Sequence, residues 1–270
     1  MSNYADFSDL IKAGKSAVIC ADNLELIKSM TENGLAKSVD FIYIDPPFFT
    51  NRDFPDYKDC WPSGIDAFLD MMRPRLAAMR ELLSDSGLIA VHMDWHAVHY
   101  VKVMMDEIFG INRFVNELIW AYKSGGASSR SFARKHDTIL LYSKGPRYYF
   151  SPQKERSYNR GNRPYRFKGV TEFEDKEGKW YTLVNRKDVL NVDMVGRTSN
   201  ERTGYSSQKP EALLNILIES CCPEGGLCAD FFAGSGTLGA SAAMSGRRFL
   251  LCDSNHEAVE ICRDRLGMYL

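Results

Sequence analysis

Short runs of consecutive apolar residues recur along the chain and are separated by longer amphipathic stretches. Four runs have the length of a strand, and they occupy Ala17–Cys20, Phe41–Ile44, Leu88–Val91 and Phe249–Cys252. Uninterrupted apolar runs are typical of parallel strands that are covered on both faces, whereas half-exposed strands alternate with polar residues. The pattern therefore predicts a buried, mainly parallel sheet.

The stretches between and after these runs place apolar residues at helical intervals. They predict helices over Ile65–Leu83, Trp95–Phe109, Pro210–Cys222 and Asn255–Leu270. Asp94 and Gly110 are the expected caps of the second helix, and Pro210 is expected in the first turn of the third. Two further strands are predicted at Phe114–Tyr122 and Thr138–Ser143. Strands that alternate with helices predict an α/β protein with a doubly wound sheet.

Composition agrees with a globular protein and excludes several other classes. The chain has 270 residues, of which 44% are hydrophobic and 26% are charged, so it is neither a disordered tail nor a small disulfide scaffold. No apolar stretch reaches the roughly 18–20 residues that span a bilayer, and no signal peptide precedes the first strand. Seven cysteines without a CxxC pair fit reduced thiols in the cytoplasm and predict no metal site.

Charge is divided unevenly along the chain. Residues 144–209 contain 15 Lys and Arg against 8 Asp and Glu, a net of +7, whereas the remainder carries 19 basic and 27 acidic side chains. Ten aromatic residues interleave with the basic ones: Tyr148, Tyr149, Phe150, Tyr158, Tyr165, Phe167, Phe173, Trp180, Tyr181 and Tyr205. This composition suits a nucleic-acid surface. A solvated β-rich insertion with its own small core has the same composition.

A glycine turn follows the apolar run Leu227–Phe232. Its residues are Ala233-Gly234-Ser235-Gly236-Thr237, and a helical stretch comes next. Strand, glycine turn and helix form a nucleotide-type site, and Asp253 at the end of the following strand can accept hydrogen bonds from ribose hydroxyls. The third glycine of GxGxxG is absent, so no pyrophosphate cradle is specified. A nucleoside cofactor and a merely structural turn both remain open from this motif alone.

A second motif, Asp45-Pro46-Pro47-Phe48, ends the run Phe41–Ile44. Two prolines remove two N–H donors and stiffen the chain at the sheet edge where α/β proteins bind ligands. A carboxylate, a fixed carbonyl and an aromatic face suit a flat base with an exocyclic amino group. Such acceptors draw the amine hydrogens away from the ring and free the nitrogen lone pair for attack. A rigid turn without chemistry is the structural alternative.

Together these motifs resemble the amino-group DNA methyltransferases, which make N6-methyladenine or N4-methylcytosine. Asp45 to Phe48 is similar to their catalytic motif, and Asp230 to Thr237 is similar to their S-adenosylmethionine loop. Ser207-Gln208-Lys209-Pro210 resembles the segment whose lysine approaches the cofactor carboxylate, and His136–Lys144 resembles a further family strand. The catalytic motif precedes the cofactor loop, which is the order of the β-group.

The resemblance implies a Rossmann-like methyltransferase sheet with circularly permuted motifs and an inserted target recognition segment. Residues 1–145 would form the catalytic half, 146–206 the recognition segment and 207–270 the cofactor half. Base flipping in duplex DNA would bring adenine N6 to the catalytic residues Asp45, Pro46, Pro47 and Phe48. The cofactor contacts implied are Asp22, Lys209, Phe231, Ala233, Gly234, Ser235, Gly236, Thr237 and Asp253.

DNA contacts are expected from two basic regions. The loop Ser124–Lys135 contains Arg130, Arg134 and Lys135, and it would close on DNA or fill the hole left by the flipped base. In the recognition segment the densest arginines are Arg156, Arg160, Arg163 and Arg166. A homodimer and a cognate restriction endonuclease are candidate partners on the resemblance alone.

Two departures and several alternatives accompany this interpretation. Phe48 stands where the family commonly has Tyr, and Asp253 stands where Glu is common. Asp45 favours adenine, because Ser before the prolines is commoner in cytosine enzymes. N4-cytosine methylation is the first alternative, followed by RNA or protein-glutamine methylation, a nicotinamide dehydrogenase and an inactive DNA-binding module. His92, His96 and His99 around Asp94 resemble a metal set but are expected at a strand end and helix start.

Overall fold

A computed structural model describes residues 4–54, 56–124 and 128–270, and the following elements lie in these ranges. The helices are α1 (Tyr4–Lys12), α2 (Asn23–Met30), α3 (Ile65–Leu82), α4 (Val98–Phe109), α5 (Glu211–Cys221), α6 (Thr237–Met244) and α7 (His256–Leu266). The strands are β1 (Ala17–Cys20), β2 (Val39–Ile44), β3 (Arg52–Asp53), β4 (Lys58–Asp59), β5 (Leu83–Met93), β6 (Phe114–Ala121), β7 (His136–Ser143), β8 (Lys154–Tyr158), β9 (Glu172–Glu174), β10 (Trp180–Asn185), β11 (Val189–Asn191), β12 (Leu227–Asp230) and β13 (Arg248–Asp253).

Eight strands form one sheet in the order β1-β13-β12-β2-β5-β7-β6-β11. The first five are parallel, β7 is antiparallel to both neighbours, and β11 is parallel to β6. The predicted α/β fold is therefore confirmed. From β12 the chain continues through α6 to β13 on one side, whereas from β2 it continues through α3 to β5 on the other. The boundary between β12 and β2 is thus a topological switch point, where ligands bind in such sheets.

Helices cover both faces of this sheet. Ile42 and Ile44 of β2 pack into one buried cluster with residues of α1–α4, whereas Phe41 and Tyr43 pack into the opposite cluster with residues of α5–α7. Successive side chains of a strand point to opposite faces, so a run of apolar residues serves both layers. This two-sided burial is why the strands read as uninterrupted apolar runs.

The basic part of the chain contributes to two sheets. Strands β8, β10 and β9 form a small antiparallel sheet, and Asp175 accepts from the N–H groups of Glu177 and Lys179 in the β9–β10 turn. Strand β11 instead pairs with β6 at the edge of the main sheet, with Leu190 opposite Trp120. The predicted recognition segment 146–206 thus includes a strand of the main sheet.

Some helix boundaries differ from those predicted. Asp94 does not cap α4, which begins at Val98; its side chain instead accepts from the backbone N–H of His96 at 2.9 Å. Pro210 is the N-cap of α5 rather than a residue of its first turn. Helices α1 and α2 and the hairpin β3–β4 lie in regions for which no element was predicted. Among the described helices, none combines the length and apolar character needed to span a membrane.

Candidate active site

A cavity of about 390 Å³ opens between the carboxyl ends of β2 and β12. Both motifs that stood out in the sequence line it, because their strands are neighbours in the sheet. Its wall contains these predicted site residues: Asp45, Pro46, Pro47, Phe48, Lys209, Ala233, Gly234, Ser235, Thr237 and Asp253. The predicted catalytic and cofactor sites are therefore two ends of one cavity.

The glycine turn after β12 has no room for larger side chains. Gly234 and Gly236 have φ values of +50° and +74°, in the left-handed region that favours glycine. A Cβ on Gly234 would lie 3.1 Å from the ring of Tyr205, and a Cβ on Gly236 would lie 2.8 Å from Sγ of Cys262. The turn is therefore fixed by close packing, and its backbone faces the cavity.

Asp253 ties this turn to the end of β13. Its Oδ2 accepts from the N–H of Gly234 and its Oδ1 accepts from the N–H of Asn255, both at 2.9 Å. Burial raises the pKa of Asp253, although these backbone hydrogen bonds act in the opposite direction. A carboxylate oxygen has lone pairs to spare, so Asp253 can still accept bonds from a ligand in the cavity.

Asp230 also lines the cavity, and although it belongs to the glycine-turn motif it was not among the predicted site residues. Its Oδ1 accepts from the N–H of Phe232 at 2.9 Å. Burial, together with the negative charges of Asp45 and Asp253, raises its pKa well above the ordinary value. Four Asp side chains and two Lys side chains line the cavity, so a positive charge on a ligand would oppose this rise in the pKa of Asp230.

Asp45 extends from the end of β2 into the cavity, and its two oxygens differ. Oδ2 accepts from Nζ of Lys209 in an ion pair, whereas Oδ1 is buried and has no hydrogen-bond partner. The Lys209 ammonium also lies 5.3 Å from the ring centre of Phe48. The main-chain carbonyl of Lys209 accepts from Oγ1 of Thr237 at 3.1 Å. Lys209, predicted to approach a cofactor carboxylate, thus contacts the predicted catalytic carboxylate of Asp45.

Phe48 lies on a buried polar network. Its ring stacks on His92 with centroids 5.7 Å apart. His92 contacts the Tyr43 hydroxyl through Nδ1 at 2.7 Å and Asp137 through Nε2 at 3.3 Å, and Tyr122 donates to Asp137 at 2.9 Å. Burial of Asp137 opposes ionisation, but the bonds from His92 and Tyr122 hold its pKa below the ordinary value. His92 is therefore a buried support for Phe48 and not an exposed ligand.

Three predicted cofactor residues lie outside the cavity wall. Asp22 caps α2, accepting from the N–H of Leu24 at 2.9 Å, and forms an ion pair with Arg75 at 2.8 Å. Phe231 is buried in the core, and Gly236 faces Cys262. The structure thus places these three residues outside the cavity wall, and their contacts with a cofactor stay predictions.

One part of the cavity wall, around Asp56, was not predicted from the sequence. Asp56, between β3 and β4, accepts from the N–H of Ser206 at 2.8 Å, and its carbonyl accepts from the side chain of Asn255 at 2.7 Å. Tyr57 and Tyr205 also line the cavity. These contacts join three distant segments, so no local sequence pattern indicates them.

The predicted DNA-contacting residues lie on exposed surfaces. Arg134 stacks on Trp95 with its guanidinium carbon 4.0 Å from the ring centre, and Lys135 donates to the carbonyl of Ser124 at 2.6 Å. Between them and Arg130, Phe132 is 98% exposed. In the small-sheet region the guanidinium of Arg156 lies over the ring of Tyr181. Arg160, Arg163 and Arg166 are also exposed. Gly125 and Gly126 of the loop lie outside the described residues.

The strand order, with two motif-bearing turns at one cavity, is that of the S-adenosylmethionine-dependent methyltransferase fold. A family model described as DNA methylase matches residues 39–264. The chain belongs to this DNA methylase family, whose members modify amino groups of DNA bases. Within the described residues no His, Cys, Asp and Glu cluster has a metal-binding arrangement.

Relatives and solved structures give the same family and the same fold. The type II methyltransferase M.EcaI of Enterobacter cloacae is 28% identical over 99% of this chain and 72% of its own. The DNA adenine methyltransferase YhdJ of Escherichia coli strain K12 is 24% identical over 86% of this chain and 78% of its own.

Two solved structures share the fold at low sequence identity. The M1.HpyAVI–SAM complex has a TM-score of 0.61 and 19% identity, covering 92% of this chain and 97% of its own. The cytosine-N4-specific PvuII DNA methyltransferase has a TM-score of 0.65 and 14% identity, covering 93% and 87%. The PvuII enzyme is named for cytosine N4, whereas YhdJ is named for adenine, so likeness to these proteins does not assign the target base.

Proposed function

We propose that this protein transfers a methyl group from S-adenosylmethionine to the N6 amino group of adenine in duplex DNA. The observation that carries the proposal is the buried, unpartnered Oδ1 of Asp45 at the cavity wall. A buried acceptor without a donor costs about 1–3 kcal/mol, so a site that keeps one is prepared for a donor that arrives with the substrate. The amino group of a flipped base is such a donor.

The remaining groups suit the same substrate. The main-chain carbonyl of Pro46 would accept the second amine hydrogen, and Phe48 would stack on the base. Drawing both hydrogens toward these acceptors frees the nitrogen lone pair, and the carboxylate of Asp45 stabilises the positive charge that develops on the nitrogen during transfer. Because the base must leave the duplex to reach the cavity, the protein must also support its extrusion.

The cavity also fits the proposed cofactor. S-adenosylmethionine supplies an electrophilic methyl group on a sulfonium, and it carries an ammonium and a carboxylate. Asp230 would receive the cationic end, Lys209 the carboxylate and Asp253 the ribose hydroxyls. Gly234 has no side chain, so a ligand can approach its backbone closely. A Cβ at this position would also lie only 3.1 Å from the ring of Tyr205.

Lys209 would then serve two carboxylates in turn. Its ammonium pairs with Asp45 and lies over the Phe48 ring, in the place where a base amine would bind. For the base to enter, the ammonium must leave this position, and a cofactor carboxylate gives it another partner. We therefore expect the cofactor to promote base entry.

Duplex DNA is proposed to lie across the basic loop and the small sheet. Arg130, Arg134 and Lys135 would contact phosphates beside the cavity, and most arginines of the small-sheet region would do the same. Phe132, which is almost fully exposed among these charges, is a candidate to replace the extruded base in the stack. The type II methyltransferase names among the relatives support a role beside a cognate restriction endonuclease.

The test is transfer of labelled methyl from S-adenosylmethionine to unmethylated DNA, followed by mass spectrometry of the nucleosides. N6-methyladenine is the expected product, because Asp rather than Ser precedes the prolines. N4-methylcytosine, the base named for the PvuII enzyme, would retain the site chemistry and overturn the base assignment. Absence of label in DNA, with cofactor bound, would overturn the DNA substrate.

A further inference from the structure

Asp59 is a fully buried carboxylate behind the cavity wall. It is 0% exposed and accepts five hydrogen bonds. Oδ1 accepts from the N–H of Phe49 and from Nε1 of Trp61, both at 2.9 Å. Oδ2 accepts from the N–H groups of Phe48 and Thr50 at 3.2 and 2.8 Å, and from the Thr50 hydroxyl at 2.7 Å. This number of donors offsets the cost of burying the charge.

Three of these donors are successive backbone N–H groups directly after the two prolines. Pro46 and Pro47 have no N–H, so the amide of Phe48 is the first group beyond Asp45 through which the backbone can donate a hydrogen bond. Asp59 accepts that bond. The carboxylate therefore fixes the peptide plane from which the Phe48 ring extends.

The same segment contains strained backbone. Phe49 and Asn51 have φ values of +63° and +54°, in the left-handed region that is unfavourable for residues with a side chain. Such strain persists only where the surroundings hold it. Asp59 holds Phe49, and the side chain of Asn51 accepts from the N–H of Trp61 at 3.0 Å.

The hairpin β3–β4 explains how Asp59 reaches this segment. Arg52 pairs with Asp59 in the hairpin register, so the chain reverses and returns beside residues 48–50. Trp61 packs edge-on against Phe68 of α3 at 5.2 Å, which anchors the returning strand on the core. The carboxylate is thus attached to a rigid part of the molecule.

We propose that Asp59 is a positioning residue for methyl transfer, which acts by holding Phe48 in the orientation that receives the base. This inference rests on the proposed function, since it assigns Phe48 to base stacking. Asp59 itself touches neither substrate nor cofactor. Its effect passes through the amide of Phe48 and the stacking of that ring on His92.

Hydrogen exchange tests the holding role without any assay of activity. In Asp59→Asn, one acceptor oxygen is replaced by an NH₂ group that faces donors. The amides of Phe48, Phe49 and Thr50 are expected to exchange at least about tenfold faster, because their protection depends on the acceptor. Trp61→Phe is the matched control, since it removes one donor and leaves those amides bonded. Unchanged exchange in folded Asp59→Asn would overturn the proposal.

Kinetics test the connection to Phe48. Asp59→Asn is expected to lower kcat about 100-fold, as for a misplacement near 1 Å, and to leave the Kd for S-adenosylmethionine within about twofold. In a Phe48→Leu background the same change is expected to cost no more than about a further twofold, because both act on one element. Equal losses in the two backgrounds would indicate general structural damage and overturn the positioning role.

Two further measurements keep the test decisive. Asp59→Glu retains the charge and moves it by one methylene, so it replaces Asp59→Asn if that variant does not fold, with the same exchange and kinetic outcomes expected. Wild-type protein that transfers no methyl to DNA would refute the proposed function. The exchange rates of residues 48–50 would still show whether Asp59 holds the segment.

Discussion

Two turns follow neighbouring strands of one sheet, and they are held in different ways. The turn after β12 is fixed by close packing around Gly234 and Gly236, with one side-chain hydrogen bond, from the N–H of Gly234 to Asp253. The turn after β2 is fixed by hydrogen bonds and charge, through Asp59 and Lys209. The bonds to Asp59 are buried behind the cavity wall, whereas the Lys209–Asp45 ion pair lies in the wall and can be exchanged for contacts with a ligand. The difference suits the proposed function, in which a preformed cofactor turn lies beside a base site whose ion pair must open.

The largest effect is expected from removing the carboxylate of Asp45, which should change kcat and leave cofactor binding nearly unchanged. Asp45→Ala removes the acceptor of the amine and should lower kcat by about 10²–10³-fold, while the Kd for S-adenosylmethionine changes little. Single-turnover methyl transfer and equilibrium cofactor binding measure the two quantities. Near-normal transfer by this variant would mean that the base-side turn has no chemical role.

Packing in the cofactor turn is tested with a pair of glycines. Gly236→Ala places a Cβ 2.8 Å from Sγ of Cys262 at a positive φ, whereas Gly246→Ala has a similar φ of +70° and open space. Both carry backbone strain, but only the first adds overpacking, which costs about 1–3 kcal/mol. Denaturant unfolding should show the difference, with cofactor affinity lowered only in Gly236→Ala. Equal losses would assign the effect to strain alone.

Lys209 connects the two turns and tests whether they are coupled. Lys209→Met keeps most of the length and removes the charge, so cofactor affinity should fall by about tenfold for loss of a charge-assisted contact. Base extrusion, followed by 2-aminopurine fluorescence at the target, should become less dependent on cofactor. A variant whose extrusion still requires cofactor would refute exchange of the ammonium between partners.

The smallest expected effect concerns the buried carboxylate of Asp230. Its pKa is raised by burial, so the folded state prefers the neutral form and loses stability as pH rises from the ordinary pKa of Asp toward the raised one. Asp230→Asn should therefore raise Tm by about 2–4 °C at neutral pH. The gain should shrink as pH falls toward the ordinary pKa of Asp, because the carboxyl of the unfolded chain then takes up its proton as well. Tm measured against pH checks this, together with the expected loss of cofactor affinity.

Much of the frame was predictable because it depends on local patterns. Strand β1 has the predicted bounds, and α3 and β6 differ by one residue at one end. The carboxylate of Asp45 and the glycine turn could be placed at a ligand edge, since each directly follows an apolar run. Parallel strands present their carboxyl ends on one side, so a common cavity was a reasonable expectation.

The contacts that complete the site could not be predicted. Asp59, Asp56 and Tyr205 carry no motif, and their roles come from segments that approach only in the folded chain. Asp94 illustrates the opposite problem, since its local pattern predicts a helix cap but its side chain bonds to His96 instead. The choice of Asp45 as partner for Lys209 likewise depends on a distance across the cavity, which sequence spacing does not contain.

The pairing of β1 with β13 has a consequence for synthesis of the protein. Ala17 lies opposite Leu250, so β1 stays without its partner strand until more than 230 further residues have been made. At ordinary rates of translation this interval lasts on the order of 10–50 s. An apolar strand must remain soluble for that time, and Lys12 and Lys15 just before it are the kind of charged residues that protect such segments. The glycine turn between β12 and β13, which is proposed to hold the cofactor, is then among the last parts of the chain to fold.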